Sequence, residues 1–188
     1  GPVSAEGIPG FLQGRFPVAG GGRGEGPSAF SGETELLDGM VDRLESNLEP
    51  LIEQGRFRVR RSGRQIEIEI QSGVLFPSGS ARPGDAFVEP LQSVARVIRD
   101  SGQEVRVEGF TDNVPVRGGR YASNWELSAA RAARVVRLFA ELGIDPGRMA
   151  AIGYGEHRPI TDNDTASGRA RNRRVVILVG QEDPPGQG

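Results

Sequence analysis

The apolar residues between positions 64 and 180 follow two alternating periods, and this alternation is the strongest constraint on the fold. Every second residue is apolar in "RQIEIEIQ", which predicts a strand with one solvated face. Further strands are predicted at "EVRVEGF", "RMAAIGYG" and "RRVVILVG". Between them, "DAFVEPLQSVARVIRD" and "SNWELSAARAARVV" have apolar residues at helical spacing. The segment "DTASGRARN" is a shorter helical or irregular piece. The order β-α-β-α-β-(α)-β predicts one α/β two-layer sandwich, with helices packed on a small sheet.

The flanking segments differ from this region in composition. Residues 1–31 are rich in glycine and proline without sustained periodicity, which predicts a flexible arm. Residues 32–54 have apolar residues at helical spacing with charges between them, which predicts an amphipathic linker helix with Ser31 as its N-cap. The apolar stripe of this helix must pack either on the domain or on a second copy of the helix. We assign residues 55–180 to the folded domain and residues 181–188 to a disordered tail.

The composition argues against several classes of function. The chain has 188 residues, a formal net charge of −2 and no cysteine, so it lacks both a general positive field and thiolates for disulfides or metals. Its one histidine, His157, has no second histidine with which to form a zinc site. Ser78 and Ser80 lie in a loop, outside the strand–turn–helix setting of a hydrolase nucleophile. We therefore expect no metal, no cofactor and no enzymatic activity. The basic segment "GRARNRRVV" has few aromatic residues near it, which argues against nucleic-acid binding.

One arginine has an unexpected position in the helix that follows Ser123. Ser123 and Glu126 form an S-x-x-E capping box, and Gly143 and Pro146 end the helix. At about 100° per residue, Arg131 falls inside the apolar arc. The other members of that arc are Leu127, Val135, Leu138 and Leu142. Because arginine is rarely buried without a partner, we expect this side chain to face an anion.

The loop "GFTDNVPVRGGRYASN" leads from the second predicted strand into this helix and carries Asp112. Asp112 has two interpretations, because Thr-Asp-Asn sequences favour Asx turns while loops after strand ends often carry function. Arg131 could form an internal salt bridge with Asp112, extend past its neighbours to water, or bind a ligand. In the last case Asp112 would hold an ammonium and Arg131 a carboxylate, which suits a zwitterionic, amino-acid-like ligand.

Five motifs occur in order and at a familiar spacing: "VLFPSGSA", "VEGFTDN", "SNWELSAARAARVV", "GYGEHRP" and "GRARNRRVVI". Together they resemble the OmpA-like peptidoglycan-binding domain. The resemblance covers residues from about 60 to 180 and implies the OmpA-like form of the predicted sandwich, with a small mixed sheet. Within the family, "TDNVPV", "SNWELSAARA" and "NRRVVI" are most similar to the MotB-type branch, the stator subunits of the bacterial flagellar motor.

The resemblance implies a domain that binds the cell wall noncovalently by recognising diaminopimelate in the stem peptide of peptidoglycan. The aspartate of the family's T-D motif corresponds to Asp112, and the arginine of its L-S-x-x-R-A motif corresponds to Arg131. In the family this pair binds the amine and the carboxylate of diaminopimelate. Four further positions match residues that line the same cleft: Thr111, Asn124, Leu127 and Arg174.

The MotB-type resemblance also implies partners and a location. Such a domain is expected to form a homodimer, and the helix over residues 32–54 is the candidate for controlling dimerisation or release of the domain. The sequence contains no transmembrane helix with an ion-carrying aspartate. We therefore expect the periplasmic anchor of a single-pass inner-membrane protein, which meets a MotA-type stator subunit through a membrane segment outside this sequence. The alternatives are another OmpA-family anchor, such as an outer-membrane lipoprotein or porin tail, and a cell-wall hydrolase.

Overall fold

A computed structural model describes residues 29–76 and 84–182 of the chain. Most of the expected arm and tail, and part of the loop after the first predicted strand, therefore lie outside the described residues. The strands are β1 (Phe57–Ser62), β2 (Gln65–Gln71), β3 (Val105–Phe110), β4 (Met149–Gly153) and β5 (Arg174–Gly180). The helices are α1 (Ala29–Glu53), α2 (Ser72–Leu75), α3 (Val88–Arg99), α4 (Asn124–Glu141) and α5 (Ala166–Asn172).

The strands form one mixed sheet in the order β1-β2-β5-β3-β4. Strands β3 and β4 are parallel, and the other neighbours are antiparallel. Ile68, Ile177 and Val107 stand side by side in three neighbouring strands and are fully buried under the helices. The α/β two-layer sandwich with a small mixed sheet, predicted from the sequence, is confirmed. None of the helices in the described part of the chain is long and apolar enough to cross a bilayer.

Strand β1 is not predicted from the sequence. Its residues "FRVRRS" include only two apolar side chains, so the period of two that identifies β2 is hard to recognise. β1 lies at the edge of the sheet, where charged residues are common because they discourage pairing with other chains. Two of its arginines form ion pairs, Arg60 with Glu67 of β2 and Arg61 with Asp38 of α1.

Helix α1 begins at Ala29, so Ser31 lies inside the helix and is not its N-cap. The helix packs on β1 and α3. Four residues of its apolar stripe are completely or almost completely buried: Leu37, Met40, Leu44 and Leu48. Of the two packing modes left open by the sequence, the structure has the stripe on the domain itself.

Helix α4 lies unusually close to the sheet because two glycines face it. Gly109 of β3 and Gly153 of β4 are paired neighbours in the sheet, and both lie beneath the first turns of α4. A Cβ atom at Gly109 would lie 2.9 Å from the carbonyl carbon of Ser128, and one at Gly153 would lie 2.7 Å from the Cα of Ala129. Side chains at these strand positions would therefore hold the helix away. The close approach brings the start of α4 next to the end of β3.

Candidate ligand-binding site

An open cleft of about 520 Å³ lies where the loop after β3, the start of α4 and the approach to β5 meet. Five of the six predicted site residues line it: Thr111, Asp112, Asn124, Leu127 and Arg131. The other walls include Phe76, which follows α2, and the arginines Arg117, Arg169 and Arg173. The fold thus brings together residues that are far apart in the sequence, as the resemblance implied.

Asp112 is held by its neighbours in the loop. The backbone N–H of Thr111 donates to the carbonyl of Gly155 over 2.8 Å, which ties the end of β3 to the turn after β4. The Thr111 hydroxyl donates to the Asp112 carbonyl over 2.8 Å. The Oδ1 atom of Asp112 accepts from the Val114 N–H over 3.0 Å, which is the Asx turn that the sequence suggested. The turn occupies only one carboxylate oxygen, so the other remains available for a cation.

That second oxygen is bonded to Arg173. The Nη1 atom of Arg173 lies 2.6 Å from Oδ2 of Asp112, whose side chain is 10% exposed. The internal ion pair of Asp112 is therefore with Arg173 and not with Arg131. Arg173 is not among the site residues expected from the sequence. The pattern contained a signal for it, because alternation along the strand puts residue 173 on the same face as Val175 and Ile177, which face the helices.

Arg174 does not lie in the cleft, which corrects the position predicted for it. Alternation turns its side chain to the opposite face of the sheet, where its Cζ lies 3.8 Å from the ring centroid of Phe110. Its Nη2 donates to the carbonyl of Arg158 over 3.2 Å, and its Nη1 donates to the carbonyl of Asn172 over 3.2 Å. Arg174 thus holds the loop after β4 and the end of α5 against the sheet.

Arg131 is buried at the base of the cleft, with 7% of the residue exposed. Its Cζ lies 5.3 Å from the ring centroid of Phe76. Burial, and next the positive charge of Arg173, lower the pKa of Arg131 from its ordinary value, while Tyr121 and Asp112 act in the opposite direction. A guanidinium starts from so high a pKa that it remains charged at physiological pH. An anion placed beside Arg131 would stabilise the charged guanidinium and so offset the effects of burial and of the Arg173 charge.

Asn124 and Leu127 come from the first turns of α4. The Nδ2 group of Asn124 lies within hydrogen-bonding distance of the Val114 carbonyl at 3.1 Å, the Asp112 carbonyl at 3.3 Å and Oε2 of Glu156 at 3.2 Å. It therefore fixes the loop after β3 against the helix and against the loop after β4. Leu127 is 8% exposed and contributes an apolar wall. These contacts within the chain hold the loop after β3 and the start of α4 in place, which preorganises this part of the cleft.

The charges of the cleft are unbalanced. Among the residues that the structure describes, four arginines line it, at positions 117, 131, 169 and 173, against the single carboxylate of Asp112. Such a cleft suits a ligand with more carboxylates than amines. In the described residues 29–76 and 84–182, no three histidine, aspartate or glutamate side chains come together as a metal site.

The OmpA family matches residues 75–173, which is more than half of the chain and includes all of the predicted site residues except Arg174. The chain belongs to the OmpA family. Two solved structures are similar over almost their whole length. One is a putative MotB-like protein from Desulfovibrio vulgaris, with a TM-score of 0.70 and 29% identity, covering 82% of this chain and 99% of that one. The other is the cell wall anchor of the T6SS from Pseudomonas aeruginosa, with a TM-score of 0.69 and 38% identity, covering 74% of this chain and 98% of that one.

Motility protein B of Bacillus subtilis is a sequence relative of this OmpA-family domain. The two chains are 28% identical over 149 residues, which is 78% of this chain. The chain spans 57% of the length of that relative, so the likeness concerns one part of it. The OmpA-like recognition made from the sequence motifs is confirmed, and so is the likeness to MotB-type proteins.

Proposed function

We propose that this domain is a noncovalent cell-wall anchor that binds the diaminopimelate-containing stem peptide of peptidoglycan. The observation that carries the proposal is the cleft in which one carboxylate, Asp112, lies among several arginines. The free end of a diaminopimelate side chain carries one amine and one carboxylate on the same carbon. A site for it therefore needs a fixed anion and a fixed cation close together.

In this proposal the amine binds the Oδ2 atom of Asp112 and the carboxylate binds the guanidinium of Arg131. Arg173 pairs with Asp112 in the structure. With ligand bound, Arg173 would either bond to the ligand's carboxylate or stay on Asp112 beside the ligand's amine. The methylene chain of the ligand would lie against Phe76 and Leu127, which line the cleft. The excess of arginines suits the further carboxylates of a stem peptide.

The test is a pull-down with purified sacculi. Asp112→Ala and Arg131→Ala should each abolish binding, and Arg131→Lys should weaken it strongly because lysine lacks the bidentate fork. The matched control is Arg134→Ala, since Arg134 is exposed on the outer side of the same helix and should bind like wild type. Thermal unfolding of each variant separates a binding role from a structural one. Wild-type binding by either alanine variant of the site would refute the proposal.

The wider assignment is to the periplasmic part of a MotB-type stator subunit, anchored in the inner membrane and associated with a MotA-type subunit. The likeness to a MotB-like protein and to motility protein B supports this assignment. The full-length gene tests this assignment, because the encoded protein should have one membrane-spanning helix upstream of residue 1. Deletion of the gene should abolish motility while leaving flagella assembled. We also propose that the domain forms a homodimer, which sedimentation of the purified chain would detect.

A second candidate is an anchor for another envelope machine or an outer-membrane protein of the OmpA family. The likeness to the cell wall anchor of the T6SS favours it, at a higher identity than the MotB-like protein. A lipoprotein signal or a β-barrel upstream of the domain would decide for this candidate. A hydrolase is a rival of another class, and incubation with sacculi should release no soluble fragments if the anchor assignment is correct.

A further inference from the structure

An exposed pair of aromatic side chains lies outside the cleft. Trp125, in the first turn of α4, is 50% exposed and is stacked on His157, with ring centroids 4.7 Å apart and an angle of 22° between the ring planes. These are the only tryptophan and the only histidine of the chain. His157 covers one face of the indole, so the exposed part includes the other face.

Hydrogen bonds connect the backbone segments that carry the pair. The backbone N–H of Trp125 donates to Oγ of Ser123 over 3.1 Å, and its carbonyl accepts from the hydroxyl of Ser128 over 3.0 Å. The hydroxyl of Ser128 in turn accepts from the N–H of Gly155, two residues before His157, over 2.9 Å. The backbone segments that carry the two rings are therefore tied to each other through Ser128.

The pair borders the cleft. Asn124, which lines the cleft, directly precedes Trp125, so their Cα atoms are about 3.8 Å apart. The amide of Asn124 also contacts Glu156, the neighbour of His157. Val114, whose carbonyl accepts from the Asn124 amide over 3.1 Å, lines the cleft and is 52% exposed. Two of the four exposed large apolar side chains of the described residues thus lie at this rim.

The chemistry around the indole favours a sugar ring as its partner. The face of an aromatic ring carries partial negative charge and attracts the C–H groups of a pyranose face, while carboxylates accept from its hydroxyl groups. Two carboxylates are held close to the segments that carry the pair, Glu126 by the hydroxyl of Ser123 and Glu156 by the amide of Asn124. Their charges disfavour phosphate groups of lipids or nucleic acids, and the nearby Arg158 is stacked on the ring of Tyr154, with its Cζ 3.7 Å from the ring centroid. One exposed ring among charged residues is too small a patch for stable docking of a protein.

We propose that Trp125, supported by His157, is a saccharide subsite that stacks on a sugar ring of the glycan strand while the attached stem peptide occupies the cleft. The inference rests on the proposed function, because the stem peptide brings the glycan to the rim. A stem peptide is covalently bound to its sugar, so one peptide in the cleft limits how far the sugar ring can lie from the indole. The subsite thus adds a second point of attachment for the same strand.

The experiment compares two ligands, the free stem tripeptide that contains diaminopimelate and the same tripeptide joined to its disaccharide. With the 188-residue chain, calorimetry should give a dissociation constant about tenfold lower for the disaccharide-peptide than for the tripeptide. Trp125→Ala should remove this preference and leave the affinity for the tripeptide unchanged, whereas Trp125→Phe should retain most of the preference. Because Trp125 is the only indole, wild-type fluorescence should change with the disaccharide-peptide and much less with the tripeptide.

Leu36→Ala is the matched control, because Leu36 is another exposed apolar side chain, 37% exposed on α1, and should keep the preference. The inference is overturned if Trp125→Ala retains the tenfold preference while the wild type binds the tripeptide. It is also overturned if Trp125→Ala converts an oligomer into monomers in sedimentation, since the ring would then belong to a contact between copies. If the wild type fails to bind the tripeptide at all, the proposed function fails first and the saccharide subsite fails with it.

Discussion

Replacing Gly109 with alanine should destabilise the domain and weaken the cleft at the same time. The new Cβ would lie 2.9 Å from the carbonyl carbon of Ser128, whereas non-bonded carbon atoms pack at about 3.5–4.0 Å. β3 is paired with β4 on one side and β5 on the other, so the strand cannot move away. Helix α4 must therefore withdraw from the sheet by at least about 0.6 Å, the difference between these distances.

Overpacking of this kind typically costs about 1–3 kcal/mol, and we expect a value near 3 kcal/mol because the obstacle is backbone and cannot change rotamer. For a domain of this size, that corresponds to a fall in Tm of about 6–12 °C. Arg131 and Asn124 are carried by the displaced helix, so binding to sacculi should fall as well. Thermal and urea unfolding followed by far-UV circular dichroism, together with the sacculus pull-down, measure the two effects.

The control for this substitution is Gly39→Ala. Gly39 lies in the middle of α1, is exposed and has no heavy atom within 4 Å of an added Cβ. Alanine is a better helix former than glycine, so this variant should be about 1 kcal/mol more stable than wild type. Two glycine-to-alanine changes are thus expected to act in opposite directions. A Gly109→Ala protein with the stability and the sacculus binding of wild type would refute the close packing of α4 on the sheet.

Two further predictions concern the helices. Leu44→Ala should lower the free energy of unfolding, measured by urea titration, by about 2–5 kcal/mol, because Leu44 is fully buried between α1 and the domain. The control is Glu45→Ala, which should have little effect because Glu45 is exposed. The hydrogen bond from Ser123 lowers the pKa of Glu126 from its ordinary value. Because the folded-state pKa is depressed, the capping contribution is present above the unfolded-state pKa and is lost as the pH falls through the folded-state pKa. An NMR titration should find that Ser123→Ala raises the pKa of Glu126, and an unchanged titration would contradict the capping interaction.

Periodicity predicted the elements whose apolar residues recur regularly, including β2, α3 and α4, and it predicted that Arg131 is buried. It missed β1, because an edge strand with charged residues buries too little apolar surface to leave a regular pattern. It also could not identify the partner of Asp112. That partner depends on the register in which β3 pairs with β5, and register is a property of the tertiary structure. Position-by-position transfer from the family selected Arg174, whereas alternation along the strand points Arg173 toward the cleft.

The ion pair between Asp112 and Arg173 has a consequence for selectivity. A simple amine or a metal cation that approaches Asp112 must compete with a guanidinium already 2.6 Å away. If it displaces Arg173, the guanidinium is left without a carboxylate partner. A molecule with an amine and a carboxylate on the same carbon can bind Asp112 and Arg173 at once, so that neither charge is left uncompensated. The cleft should therefore bind polyamines and inorganic cations weakly, even where these are abundant. At Asp112 itself, the ion pair therefore favours ligands that carry an amine together with a carboxylate.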